Sequence, residues 1–391
     1  MTDNETLIGF CREALRIPSV SGEEGKVAEL MASYMERFGF DSVHTDRYGS
    51  VTGRIKGKRP GKTVLMDGHI DTVPVIDADE WQHDPFGAEL DGTRIYGRGA
   101  SDMKGSVTAM ITAAARFAEE TDRDFAGEVC VSCTVHEECF EGVSSREIVK
   151  DVNPDFVIIG EATSGTVKIG QRGRAEVVVE TEGVSCHSSN PEKGVNAVYH
   201  MAVLIGEIRK IEPNEHPILG NGILELTDIK SFPYPGASVV PNLCRATFDR
   251  RTLPGEDETV VLGQIEEAIA RAKELVPGLK ARAYIAEGSE RCYTGETISA
   301  KRFFPAWCYG AEDELTVKAL AGLKKAGVET KLSHFSFCTN GSCFCGEAGI
   351  PGIGYGPSEE YLAHVRDEYI ETAALISACK GFTGILKELL Q

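Results

Sequence analysis

Residues 62–71 read KTVLMDGHID, an apolar strand that runs straight into charged residues. What flanks it decides the fold. Upstream, helical patterns near residues 4–16 and 23–38 precede two short strand candidates, DSVHTD at 41–46 and SVTGRIKG at 50–57. Downstream, residues 104–120 read as a helix with small residues on its packing face. They are followed by the strand GEVCVSCT at 127–134, a helix at 144–151 and the apolar run FVIIG at 156–160. Strands alternating with helices argue for an α/β layer with at least part of its sheet parallel. In such sheets ligands gather beyond the carboxyl ends of the strands.

From about residue 174 the order changes to strand (175–183), helix (194–211), strand (222–231), strand (243–252), helix (257–275) and strand (280–288). This β-α-β-β-α-β order is that of a ferredoxin-like split unit. The α/β character then resumes with a helix at 312–327, the run GIPGIGYGP at 349–357 and a final helix from about residue 368. The expected organisation is therefore a catalytic α/β domain of residues 1–173 and 292–391, interrupted by an inserted domain of residues 174–291. With no internal repeat and no low-complexity linker, the insertion joins through short hinges.

The 391 residues carry 41 Lys and Arg against 60 Asp and Glu, a formal charge of -19, which disfavours nucleic acid and anionic membrane as partners. No segment approaches the roughly 20 apolar residues of a membrane span. The acidic, polar start MTDNETLIGF lacks a signal-peptide layout, and the expected location is cytoplasmic. The 12 cysteines fit a reducing compartment, where they stay thiols. Cys338, Cys343 and Cys345, in CTNGSCFC, lack the paired spacing of a zinc knuckle.

Chemistry concentrates where strands end. His69 and Asp71 form H-x-D, and two residues apart on an extended segment they point to one side. A buried aspartate holding a histidine would give the same pattern. Asp102 lies in YGRGASDMKG, presented from a tight loop or capping the helix that follows. Glu137 and Glu138, in VHEEC, are neighbours, and neighbours on a strand face opposite ways unless the chain has already left the strand. Glu161 directly follows FVIIG, and His364 lies in GPSEEYLAH before the final helix. Nitrogen and oxygen donors converging from several strand ends suit divalent zinc, cobalt or manganese.

The ordered set GHIDTVP, GRGASDMKG, HEEC, GEAT and GPSEEYLAH resembles the dinuclear zinc amidohydrolase and exopeptidase superfamily, which includes aminoacylases, desuccinylases and glutamate carboxypeptidases. GQRGRAEV, GVSCHSSNPEKGVNAV, FPYPGASVVPN and FPAWCYGAEDELTVKA look closest to its selenium-metabolism-linked hydrolase branch. The resemblance covers almost the whole chain. It implies a zinc-exopeptidase-like catalytic domain with a ferredoxin-like lid and dimerisation domain, and two divalent ions, zinc before cobalt or manganese. His69 and Glu161 would hold one ion, Glu138 and His364 the other, and Asp102 would bridge them. Asp71 would stand behind His69, and Glu137 would be the general base and then the general acid. His187, in GVSCHSSNP, matches a histidine that reaches into the partner subunit's site to stabilise an oxyanion. Arg251, in FDRRTLPGE, matches a clamp for a substrate carboxylate, and Asn242, in VVPN, a polar substrate contact. Arg250 reads as a surface or strand residue and Arg172 as a weaker anion contact. The aromatic segment 293–309 either shapes the pocket or packs between domains.

The implied reaction is hydrolysis of a small amide, an N-acyl amino acid or a dipeptide-like substrate, by a homodimer. N-carbamoyl hydrolases of this superfamily usually carry histidine where this chain has Glu161, which ranks ureido hydrolysis as the alternative. A catalytically silent, ligand-binding homologue would keep the metal ligands without needing Glu137, and Glu137 is present.

Overall fold

Arg59–His69 runs through the middle of a nine-stranded sheet. The structure, a computed structural model, describes residues 2–391. The strands lie in the order Ser42–Thr45, Val51–Lys56, Ala126–Thr134, Arg59–His69, Phe156–Ile159, Gly352–Gly354, Val167–Gln171 and Trp307–Cys308, with Leu332–Phe335 also paired to Val167–Gln171. Four consecutive strands, Ala126–Thr134 through Gly352–Gly354, are mutually parallel, and antiparallel strands flank them on either side.

The unbroken apolar runs follow from this position, because a central parallel strand is covered on both faces. Val64 and Met66 turn into one core, with the helices Asn4–Leu15, Gly25–Arg37, Lys104–Glu120, Glu314–Lys325 and Thr372–Leu390. Leu65 turns the other way, into a second core with Ile148, Trp307, Phe335 and Phe344. Val157 and Ile159 share that second core while Phe156 and Ile158 face the first, the period-2 alternation of a strand. Lys104–Glu120 is buried along most of its length, since it packs on the sheet and on both terminal helices. Its alanines and threonines give the close approach that this position needs.

The chain divides into two compact units, one of residues up to Gln171 with Ser289–Ser299 and Trp307–Gln391, the other Arg172–Gly288 with Ala300–Ala306. In the second unit the strands Ile223–Phe232, Leu243–Thr252, Gly173–Glu182 and Lys280–Ile285 form an antiparallel sheet in that order. The helices Ala197–Ile208 and Glu258–Leu275 pack on it through Val177, Val179, Ala246 and Phe248. This is the ferredoxin-like arrangement. One detail has no counterpart in the sequence reading: Phe303–Phe304 returns to pair with the start of Gly173–Glu182. Arg250 is no surface residue; it is 1% exposed and paired with Glu256 at 3.0 Å. Among the described residues, no helix is long and apolar enough to cross a membrane.

Candidate metal centre

The parallel register explains which side chains meet. His69 closes its strand and pairs with Thr134, and Asp67 pairs with Ile159, so Glu161, two residues past the end of the neighbouring strand, comes level with His69. The next strand ends at Thr134, and His136 adopts φ 58°, in the left-handed region. The chain has therefore left the strand before Glu137, and the alternation that would separate Glu137 from Glu138 no longer applies. Asp71 fixes the turn: its Oδ1 accepts the Glu137 N–H at 3.0 Å and its Oδ2 the Glu138 N–H at 3.1 Å. Ser21 donates to the same Oδ2 at 2.7 Å.

Asp102 precedes the helix Lys104–Glu120, but the residue at the N-cap is Met103, so the carboxylate is not spent on capping. It is divided between two histidines instead. His69 Nε2 lies 2.9 Å from Asp102 Oδ1, and His364 Nε2 lies 3.1 Å from Asp102 Oδ2. Beyond that shared group, His69 Nε2 is 3.6 Å from Glu161 Oε1, and His364 Nε2 is 3.0 Å from Glu138 Oε2. The Nδ1–H of His69 donates to the main-chain carbonyl of Asp71 at 2.8 Å, while the Asp71 carboxylate stands farther off at 3.6 Å. That bond sets the tautomer and presents Nε2 to the site. Asp71 thus serves Glu137 and Glu138 with its carboxylate, and His69 with both its carbonyl and the charge of that carboxylate.

His69, Asp71, Glu137 and Glu161 are buried, whereas the His364 side chain is 52% exposed and stands at the mouth. Carboxylates so crowded away from water resist ionisation. Burial, with Asp102 and Glu138 nearby, pushes Glu161 up to about 8. Burial, with the charges of Glu161 and Glu138, holds Glu137 well above the usual carboxylate range, and burial with the Asp102 charge raises Glu138. The bonds to Asp102 and Glu138 raise His364 to about 10. Burial favours neutral His69, but Glu161 and Asp102 overcome it and raise it well above its ordinary value. Asp102 also resists charge by burial, yet its bonds to His364 and His69 hold it low. An excess of buried negative charge on hard oxygen donors, with two imidazole nitrogens among them, is the environment that divalent cations neutralise. Donor atoms of His69, Glu137 and Glu161 lie within 4.8 Å of one another, as do those of His69, Asp102 and Glu138. The donors present therefore fit divalent cations, and His69 is common to both groups.

The remaining sequence candidates lie in the second unit. His187 Nδ1 accepts from the Ser189 N–H at 3.1 Å and lies 2.7 Å from Ser189 Oγ. Arg251 donates from Nε to Asp249 Oδ2 at 2.7 Å, and Asp249 also holds Arg174 at 3.0 Å. Asn242 is exposed and its main chain joins Phe232 and Gly183. Arg172 donates to the Asn221 carbonyl. In the first unit, Tyr293 of the aromatic segment donates to the Gly49 carbonyl, a packing contact. Among the described residues no two cysteines form a disulfide, and Cys338, Cys343 and Cys345 are buried.

Sequence reasoning missed Asp67 and Glu368. Asp67 accepts from Ser132 and Thr134 at 2.5 Å each and from Asn340 Nδ2 at 2.9 Å, tying the loop at 338–343 to the sheet under His69. Its only sequence signal is a carboxylate inside an apolar strand. Glu368 had no signal at all, since its partners lie about 270 residues away.

Residues 65–388 match the family described as Peptidase family M20/M25/M40. The uncharacterized protein YgeY of Escherichia coli (strain K12) is 33% identical over 383 residues, which cover 96% of this chain and 92% of that protein. Succinyl-diaminopimelate desuccinylase 2 of Ruegeria sp. (strain TM1040) is 34% identical over 257 residues, 61% of this chain and 63% of its own length. A solved structure of the YXEP protein of Bacillus subtilis, described as a dinuclear metal binding peptidase from the M20 family, superposes with a TM-score of 0.71 at 15% identity, covering 98% of this chain and 97% of its own. This chain belongs to peptidase family M20/M25/M40. It is an enzyme with metal-dependent hydrolytic activity.

Proposed function

We propose that this enzyme hydrolyses the amide bond of a small N-acyl amino acid or dipeptide-like substrate with two divalent ions, in the cytoplasm and as a homodimer. The observation that carries this reading is the division of Asp102 between His69 and His364, each histidine having a further carboxylate of its own. The relative named as a desuccinylase supports the substrate class. Bound between these ligands, two ions would lower the pKa of a water and polarise the scissile carbonyl. The donor chemistry favours zinc, with cobalt or manganese as alternatives.

The chain's own part is division of labour. His69 and Glu161 would hold one ion, Glu138 and His364 the other, and Asp102 would serve both. Glu137 is free of the histidine bonds that engage Glu138, which leaves its carboxylate to take a proton from the attacking water and return it to the leaving nitrogen. Arg251 holds a substrate carboxylate, its guanidinium oriented by Asp249, and Asn242 adds a polar contact.

His187 stabilises the oxyanion. A backbone N–H points at its Nδ1, so the neutral ring carries its proton on Nε2, the form that donates outward. We assign this donation to the partner's site. Exposed Val184 and Tyr199 lie near His187 in sequence, exposed Val239 is joined to it by a β-bridge, and the edge strand Ile223–Phe232 is paired on one side only, features that suit a second copy. His187→Ala and Glu137→Gln should each be inactive alone, and hybrids of the two should regain measurable turnover. Hybrids that stay inactive would argue against catalysis across the dimer.

The substrate test is a screen of N-acetyl, N-succinyl, N-carbamoyl and dipeptide amides on zinc- and cobalt-loaded protein. Turnover of an N-acyl amino acid or dipeptide is the expected result, and activity confined to N-carbamoyl substrates would reverse the assignment.

A further inference from the structure

Glu368 is 0% exposed and has no part in the chemistry described above. It lies four residues beyond His364 and leads into the strand Tyr369–Glu371, which pairs antiparallel with Arg94–Tyr96. Its side chain is the centre around which the loop of Asp102 is wound. Oε1 accepts the main-chain N–H of Ser101 at 2.7 Å and of Asp102 at 3.1 Å. Oε2 accepts the N–H of Gly99 at 3.1 Å and Arg98 Nη1 at 2.8 Å. The Glu368 carbonyl accepts from Gly97 at 2.8 Å, and Ser101 Oγ donates to the Tyr369 carbonyl at 2.7 Å.

The loop that closes on this carboxylate has unusual backbone. Gly99 has φ +87°, a conformation that favours glycine, and a Cβ there would also press on Lys104 and Thr72. A carboxylate buried merely to neutralise Arg98 would need that one partner. Here three of four protein donors are backbone N–H groups of the segment that ends at Asp102. The segment carrying His364 is thereby bonded to the segment carrying the carboxylate that His364 touches.

We infer that Glu368 is a positioning residue for the hydrolytic reaction, holding the Asp102 loop and the His364 segment in one register so that Asp102 can be shared between two ions. The inference rests on the proposed reading of the metal centre. Outer partners of this kind typically set metal affinity by about 10–100-fold.

The test is calorimetric titration of zinc into chelator-stripped wild-type protein and stripped Glu368→Gln, with thermal melts of both and steady-state kinetics after loading. Glutamine keeps the volume but turns an amide N–H₂ toward backbone donors. The expected variant melts cooperatively, binds at least one zinc about 10–100-fold more weakly and loses kcat at unchanged KM. A folded variant with wild-type affinities at both sites would overturn the inference. If Glu368→Gln does not fold, Glu368→Asp is read by the same criterion, because it keeps the charge and the Arg98 partner while drawing back from the loop. Failure of both to fold would assign Glu368 to stability and overturn the positioning role. Wild-type protein that does not bind two ions would instead undo the reading of the centre itself.

Discussion

Glu137→Gln should lower kcat by roughly 10²–10⁴-fold while KM, fold and metal content stay at wild-type values. Glutamine has the size of glutamate and keeps a polar tip in the pocket, but it cannot accept the proton of the attacking water. The turn beneath it should persist, because Asp71 grips the main-chain N–H groups of residues 137 and 138 and not their side chains. The adjacent position provides the contrast. Glu138 is bonded to His364, so Glu138→Gln should lose metal along with activity. The alternative for Glu137 is geometrically available, since its donor atoms come within 4.8 Å of those of His69 and Glu161. Metal analysis separates the two. A Glu137→Gln protein that has lost an ion makes Glu137 a ligand, and one with near-normal turnover removes it from the chemistry.

The sequence revealed what is local. A strand end marks itself by an apolar run meeting a charged residue, and His69 and Glu161 were found that way. The register of parallel strands then makes them neighbours, which follows from an α/β alternation already readable in the chain. The turn at His136 is different. Its left-handed backbone is what lets Glu137 and Glu138 share a cleft, yet histidine carries no preference strong enough to announce it. The backbone bonds that hold these side chains in place were not legible either. Asp71 pairs with the backbone of residues 137 and 138, and Glu368 with that of residues 99–102, through N–H groups that every non-proline residue has. Nothing in a side-chain pattern records such a partnership. The same holds for Arg250, whose burial depends on Glu256 folding back beside it.

Removing the metal should abolish activity and make stability fall as pH rises, and restoring zinc should reverse both. In the metal-free protein Glu161 is raised from 4.5 to about 8 and His364 from 6.5 to about 10. At both groups the folded state binds the proton more tightly than the unfolded chain. The stabilisation from Glu161 is complete below 4.5 and is lost as pH climbs through about 8, and that from His364 is complete below 6.5 and lost through about 10. Asp102, held low, stays ionised across this range and leaves the trend unchanged. Metal ligands must give up those same protons, so zinc binds more tightly as pH rises. Each occupied site adds about 2.7 kcal/mol once free zinc is 100-fold above its Kd, and that condition is met at lower total zinc in more alkaline solution. Scanning calorimetry between about pH 6 and pH 8 should therefore show the Tm of stripped protein falling and the gap to zinc-loaded protein widening. A stripped protein whose Tm rises over this window, or a gap that stays constant, would mean that the buried carboxylates and His364 are not the groups that zinc binding deprotonates.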